Sequence, residues 1–369
     1  MASVQEPRAA ERDDGRTGPE FDGDRLLEIY RLMVLVREFE PEAERQYKKA
    51  KIGGYCHLAT GQEAAHVGPV AALEPGDFLL GSYRDHALAL ARGVSARAVM
   101  AELFGRVDGC AHGRGGSMHL LDVERNFLGG WGIVGGQIPV ATGVAFALKR
   151  DRRPNAVLCE VGDGGTNIGA WHEALNLAGL WRLPIVYLVA NNVYGMGTSV
   201  TRSSAEPELY KRGCAFRMHG ERVDGDDLEE VLEASDRLLR AAREDREPSI
   251  LEVTTYRFRG HSVADAGLTY RTKEEIAERR EHHDPIRILA ERLQERGVAD
   301  EEELERVGRE VREVVEDSVA FADRSAEPEA GTLAEHVYGD PRFPEQFSRM
   351  RPGSPFGEAE LVFDRGLGS

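Results

Sequence analysis

The sequence predicts an α/β fold in which helices flank a parallel sheet, with helical extensions. Three observations carry that expectation. Short apolar runs alternate with stretches of helical periodicity in the order strand, helix, strand, helix, strand, as parallel sheets require. The runs are apolar throughout, which suits strands covered on both faces. Two successive runs end in short polar signatures, Gly162-Asp163-Gly164 and Asn191-Asn192, separated by about one helical crossover.

The elements follow in order. Residues 1–20 are polar, lack an apolar signal core and are expected as a disordered tail. RLLEIYRLMVLVREFEPEAERQYKKA (25–50) spaces apolar residues at helical intervals. Between Gly53 and Gly143 the chain is rich in glycine, so several loops can bring backbone close to a ligand. PVATGVAFALKRD (139–151) reads as a small-residue helix packed tightly on a neighbour. NAVLCEVGDGG (155–165) is a strand ending in a turn, and LPIVYLVANN (183–192) is a second strand. Between them, IGAWHEALNLAGLW (168–181) is a helix with Ile168, Trp171, Leu175 and Leu180 as its apolar stripe. The pattern repeats as a helix over 226–245 and a strand over 249–258. Residues 299–324 form an amphipathic helix with Leu304, Val307, Val311, Val314 and Val315 on one face. The main domain is expected over 21–325. The remainder, 326–369, is rich in Pro, Gly and Phe and reads as a C-terminal arm.

Composition narrows the function classes. With 369 residues, 41% hydrophobic and 30% charged, the chain can build a large globular core. A net charge of −17 argues against a nucleic-acid partner, which would call for a basic face. Cys56, Cys110, Cys159 and Cys214 are far apart and form no CxxC pair. That argues against a zinc site or disulfide framework and fits a reducing compartment. No apolar run is long enough to span a membrane. A cytoplasmic location is the expectation.

In open parallel sheets, ligands bind at the carboxyl ends of strands, so Asp163 and Asn192 reach one crevice. A carboxylate, an amide oxygen and the nearby Tyr194 carbonyl are hard oxygen ligands of the kind that hold Mg²⁺ or Ca²⁺ against phosphate. Competing motifs fit less well. A dinucleotide fingerprint needs a third glycine where Asn167 stands, and a P-loop needs GK[ST] after the glycines. As a plain alternative, GDG is only a turn and NN a helix-start signal. The pairing of the two on adjacent strand ends favours a metal–diphosphate site.

GDG with NN resembles the thiamine diphosphate signature. YCHLATGQEAAHVG, GSYRDHALALARGV, GCAHGRGGSMHL, GIVGGQIPVATG, NNVYGMGTSV and YRFRGHSVADAGLTYRTKEEI resemble, in order, blocks of the alpha subunits of thiamine-diphosphate-dependent 2-oxo acid dehydrogenases. The likeness to the pyruvate type, and so to its thiamine-diphosphate-binding fold, runs from about Phe21 to Tyr338. The resemblance implies that Asp163, Asn192 and the Tyr194 carbonyl hold Mg²⁺, the set already chosen from the residues. It implies that Gly162, Gly164 and Gly165 face the cofactor, that Arg84, Arg257 and Tyr83 contact its diphosphate, and that Gly132 and Val134 receive its aminopyrimidine ring through main-chain atoms. His57 and His261 match active-site histidines, His261 also lying against the cofactor. His86, His112 and His119 are expected to be structural. Residues 257–275 match a loop that orders over the cofactor and is phosphorylated in some relatives, with Ser262 and Thr269 in the matching places.

The implied function is oxidative decarboxylation of pyruvate with acetyl transfer to a lipoyl group. The implied partners are a beta subunit, which carries the acid that activates the cofactor, in an α₂β₂ heterotetramer, and the lipoyl acyltransferase core of a complex. Rival readings are branched-chain 2-oxo acid or acetoin dehydrogenase alpha subunits and, in a different class, a non-catalytic scaffold. The chain departs from the family pattern at Thr166 and Ile168, with modest packing changes expected, at Arg217 and His219, where a reshaped loop is expected, and at Ala266, which is expected to loosen the loop over the cofactor.

Overall fold

The longest apolar runs become the middle of a sheet because their side chains alternate between two apolar layers. The computed structural model describes residues 21–332. The tail expected over 1–20 lies outside the described residues, as does the expected arm beyond residue 332. The chain divides into two units, 1–326 and 327–369. The described part of the second holds one helical turn, Ala330–Thr332.

The strands are β1 (Phe78–Ser82), β2 (Phe127–Trp131), β3 (Val157–Gly162), β4 (Ile185–Asn191), β5 (Tyr194–Gly195), β6 (Thr198–Ser199), β7 (His219–Asp224) and β8 (Ser249–Thr254). The main sheet runs β2-β1-β3-β4-β8-β7 with every neighbouring pair parallel. β5 and β6 form a separate antiparallel hairpin. The helices are α1 (Gly23–Lys48), α2 (Glu63–Ala71), α3 (His86–Ala91), α4 (Ala96–Leu103), α5 (Gln137–Arg150), α6 (Gly169–Trp181), α7 (Val200–Ser203), α8 (Leu228–Asp245), α9 (Lys273–His282), α10 (Pro285–Glu295) and α11 (Glu301–Arg324). Local chemistry sets their starts. Asp227 accepts from the Glu229 and Glu230 amides ahead of α8, and Asp300 accepts from the Glu303 amide ahead of α11.

On one face of the sheet, Leu158, Val186, Leu188, Leu251 and Val253 share one buried core with residues of α1, α2, α3, α4, α8, α10 and α11. On the other, Val157, Cys159, Val161, Ile185, Tyr187, Val189 and Ile250 pack against α5 and α6. Trp171 on α6 meets Tyr187 edge to face at 5.5 Å, and the Tyr187 hydroxyl lies 2.8 Å from Thr142 Oγ1 on α5. These contacts lock both helices to β4 and so fix its tip. Edge-to-face pairs of this kind add about 0.5–1.5 kcal/mol beyond area burial.

Two stripe residues named from the sequence are corrected here. Leu180 is 69% exposed and Val314 is 43% exposed. Leu180 lies five residues past buried Leu175, about 140° around a helix of 3.6 residues per turn, so Ala178 takes the buried place instead. On α11 the buried line is Val307, Val311, Val315, Ser318 and Ala322, and Val314 sits beside it. All four cysteines are free thiols. No helix among the described residues is long and apolar enough to cross a membrane.

Candidate active site

Parallel pairing sets Gly162 opposite Ala190, so the residues after β3 and β4 leave the sheet side by side at its carboxyl edge. Asp163 is 3% exposed and Asn192 is 9% exposed. The backbone amides of Asp163 and Asn192 both lie near enough to the Asp163 carboxylate to favour its charged form. Asn191 then turns the chain: its Oδ1 accepts from the Val193 amide at 3.0 Å, and its Nδ2 donates to Glu252 on β8 at 2.7 Å. Val193 sits at φ 70°, a costly left-handed conformation for a β-branched residue. The chain doubles back into the β5–β6 hairpin, and Gly195 comes against Asp163. A Cβ added to Gly195 would lie 3.7 Å from Asp163 Oδ2.

Asp163 Oδ2 is buried and has no hydrogen-bond partner. Burial pushes this carboxyl up to about 6, against the opposing pull of the two amides and Arg257. An orphaned anionic oxygen sharing one cavity with Asn192 and Tyr194, which carry an amide oxygen and a main-chain carbonyl, fits a hard divalent cation. A Cβ on Gly162 would meet no atom within 4 Å, so the backbone there leaves open room at the strand tip. Among the described residues no group of three His, Cys, Asp or Glu side chains could hold a metal. A cation at Asp163 would therefore take one carboxylate, neutral oxygens and the oxygens of whatever anion it bridges.

The positive charge for such an anion is close by. Arg84 and Arg257 are both buried, and neither forms an ion pair with a carboxylate among the described residues. Arg84 donates to the carbonyls of Leu58 at 2.6 Å and His261 at 2.9 Å. Burial lowers its guanidinium to about 10, with Arg257 nearby adding repulsion. Arg257 donates to Asn192 Oδ1 at 3.2 Å, to the Tyr270 hydroxyl at 3.3 Å and to the Arg259 carbonyl at 3.2 Å. Two desolvated guanidinium groups without an anion suit a diphosphate.

Above them stand three rings. His57 lies 4.5 Å from Tyr83 and 5.1 Å from His261, and Tyr83 lies 5.7 Å from His261, centroid to centroid. Burial, then Arg84, holds both imidazoles below the usual range, His57 at about 2 and His261 at about 4. Both are neutral at physiological pH. Asp265 shapes the loop that follows, accepting from the His261 amide at 2.7 Å, the Gly267 amide at 2.8 Å and the Tyr270 hydroxyl at 2.7 Å. Ser262 lines the cavity and Thr269 is exposed.

Every residue named from the sequence for the site lines one cavity of about 730 Å³. His86, His112 and His119 do not line it. Thr166 turns inward, its hydroxyl donating to the Asp163 carbonyl at 2.7 Å. Ile168 packs so closely that a Cβ on Gly135 would lie 2.0 Å from its Cδ1. Sequence reasoning missed Gln62, His66, Gln137 and Glu160, which also line the cavity. Glu160 accepts from the Ser82 amide at 2.8 Å, and Gln137 Nε2 donates to the Glu160 carbonyl at 2.7 Å. A signal for Glu160 was present, since it is the one charge in the apolar run of β3. Gln62, His66 and Gln137 carried none.

Residues 30–331 match the family described as Dehydrogenase E1 component. The chain is 46% identical over 319 residues to the pyruvate dehydrogenase E1 component subunit alpha of Rhizobium meliloti (strain 1021), covering 86% of this chain and 91% of that one. It is 45% identical over 312 residues to the testis-specific mitochondrial form of that subunit from Homo sapiens, covering 85% and 79% of the two chains. Identity to the corresponding subunit of Rickettsia felis is 42% over 312 residues, covering 85% and 95%. With a family match across most of its length and a cavity built from the same motifs, the chain belongs to the dehydrogenase E1 component family.

Proposed function

We propose that this chain is the alpha subunit of a pyruvate dehydrogenase first component, binding thiamine diphosphate through Mg²⁺ and acting with a beta subunit. The observation that carries the reading is the orphaned Asp163 Oδ2, within one cavity with Asn192, Tyr194, Arg84 and Arg257. Relatives named for pyruvate, at 42–46% identity, favour that substrate over branched-chain 2-oxo acids and acetoin. Thiamine diphosphate, when bound, supplies an electron sink for decarboxylation of a 2-oxo acid.

The residues of this chain do the rest. Asp163, Asn192 and the Tyr194 carbonyl would hold the cation, and Arg84 and Arg257 would meet the diphosphate oxygens. Gly132 and Val134 offer main chain at the cavity wall. His57 and His261, being neutral, each offer one ring N–H donor and one ring nitrogen acceptor, which can orient a substrate without adding charge. The loop around Asp265 limits water at the cavity mouth.

A partner chain fits the exposed apolar surface. Tyr55, Val134 and Met196 are exposed and line the cavity, and Ile133, next to Val134 in the chain, is also exposed. A second exposed apolar pair is Phe146 and Trp181, 5.2 Å apart. Patches of this kind mark interaction sites more often than solvated surface. They favour a heteromeric α₂β₂ assembly, with acetyl passed to a lipoyl group on an acyltransferase core. The low cysteine use favours the cytoplasm.

The test is turnover of pyruvate, a branched-chain 2-oxo acid and acetoin by the chain alone and with its beta subunit. Pyruvate turnover that requires both chains, thiamine diphosphate and Mg²⁺ is expected. Preference for another substrate would move the reading to that dehydrogenase. Cofactor binding with no turnover of any of the three would favour a scaffold.

A further inference from the structure

Behind the cavity, three buried polar side chains from distant parts of the sequence form one hydrogen-bonded line. Glu40 lies on α1, His86 opens α3, and Ser117 lies in the glycine-rich loop after α4. His86 Nδ1 is 2.8 Å from Glu40 Oε2, and His86 Nε2 is 2.8 Å from Ser117 Oγ. The other Glu40 oxygen accepts from the Ala59 amide at 2.8 Å. The Ser117 hydroxyl in turn meets the Cys56 thiol. Serine, histidine and acid stand in the order of a hydrolytic triad. Ser117 is 3% exposed and does not line the cavity, so no substrate carbonyl reaches its hydroxyl.

What the line does is fasten the segments that carry cavity residues. His57 sits between Cys56 and Leu58. The Leu58 carbonyl accepts from Arg84 at 2.6 Å, and the next residue, Ala59, is held by Glu40. Through His86, Glu40 also holds the helix that starts two residues after Arg84. Ser117 precedes Met118, which lines the cavity. A single carboxylate thus anchors both sides of the Arg84–Leu58 contact.

We propose that Glu40, His86 and Ser117 form a positioning relay that sets His57 and Arg84 relative to one another for the reaction. The proposal rests on the functional reading above. Burial by itself would lower the His86 imidazole, but Glu40 and Asp85 outweigh it and Arg84 opposes them, so its value is raised. Each ring nitrogen of His86 is engaged, Nδ1 with Glu40 and Nε2 with Ser117, and the serine hydroxyl also reaches the Cys56 sulfur. The line ties α1, α3 and the loop after α4 together at fixed partners, which an apolar core would not provide. Stability alone does not call for it, because apolar residues of similar volume often replace a buried ion pair without loss.

The experiment uses the assembled alpha–beta complex with Glu40→Gln and Ser117→Ala, reading thermal unfolding, thiamine diphosphate Kd, and kcat and KM for pyruvate. Both variants are expected to unfold cooperatively and bind the cofactor. For Glu40→Gln, kcat is expected to fall on the order of 100-fold, the scale of a 1 Å misplacement, with KM for pyruvate changed by less than about twofold. Ser117→Ala, which removes only the far end, is expected to lose roughly 10-fold in kcat, and restoring the hydroxyl with Ser117→Thr to recover part of it. Folded, cofactor-loaded variants with wild-type kcat would overturn the relay. Should Glu40→Gln fail to fold, Ser117→Ala and Ser117→Thr decide. Should the wild-type complex not turn over pyruvate, the functional reading fails by itself. Cofactor Kd then decides the relay: a weaker Kd in Glu40→Gln supports it and an unchanged one overturns it.

Discussion

Arg257 Nη1 lies 3.2 Å from Asn192 Oδ1, so the amide oxygen suited to a cation is oriented by a guanidinium suited to a phosphate. The two halves of the candidate site are therefore one hydrogen-bonded unit. Arg257 also holds Tyr270 and the Arg259 carbonyl, which lets it set the loop and the strand tip together. Lysine has no planar fork and cannot reproduce these contacts. Arg257→Lys is expected to weaken thiamine diphosphate binding by roughly 10–100-fold with little change in thermal unfolding. Calorimetric titration of the assembled complex checks this, and an unchanged Kd would remove Arg257 from the site.

His57 and His261 give a pH signature. Both titrate below the usual histidine value in the folded chain, at about 2 and about 4. The unfolded chain therefore binds more protons than the folded one as pH falls below about 6.5, and stability drops in that direction. Their effect is absent above about pH 7 and grows down to about pH 4 for His261. The Tm gap between wild type and a His57→Asn, His261→Asn double variant, both cofactor-free, should shift toward the variant as pH falls from 7 to 5. A gap that stays constant would mean the imidazoles are not held neutral.

Val193 should be a site of stored strain. At φ 70° its side chain opposes the backbone that turns Tyr194 toward Asp163. Val193→Gly relieves strain of about 1–3 kcal/mol and adds unfolded-chain entropy of about 0.4–1 kcal/mol. The expected net is a stabilisation of about 1 kcal/mol with cofactor affinity kept, because Val193 itself does not line the cavity. A lower Tm would contradict the strain account.

Glu102 organises the glycine-rich loop that ends in Ser117 and Met118. It is fully buried and accepts from the amides of Ala111 at 2.8 Å, Gly113 at 2.8 Å, Gly115 at 2.7 Å and Gly116 at 3.1 Å. Glutamine has the same volume but turns an N–H group toward amide donors. Glu102→Gln should destabilise by at least about 2 kcal/mol, since each buried donor left unsatisfied costs about 1–3 kcal/mol. Proteolysis should then cut within 109–118 before the sheet opens. Wild-type protection of that segment would contradict this role.

The sheet core and the Asp163–Asn192 pair were legible because they follow local rules. β3, β4 and β8 are apolar runs of strand length, and parallel strands deliver their end residues to one edge. Leu180 and Val314 were misassigned because apolarity was read without the full helical angle, so a residue beside the buried line passed for one on it. Gln62 and His66, on or at the start of α2, are ordinary polar residues until β3 places Glu160 beneath them. The Glu40–His86–Ser117 line joins positions 40, 86 and 117, and nothing in their local sequence announces that they meet. Local chemistry reached the strand tips, and long-range packing supplied the rest.

The central claim is that a divalent cation held at Asp163 and Asn192 anchors thiamine diphosphate. Calorimetric titration of the cofactor into the assembled complex, with Mg²⁺ and with chelator, for wild type and Asp163→Asn, tests it most directly. The account predicts Mg²⁺-dependent binding by wild type and a loss of more than about 100-fold in Asp163→Asn, with the variant still folded. Equal binding by the variant, or wild-type binding indifferent to Mg²⁺, would contradict it.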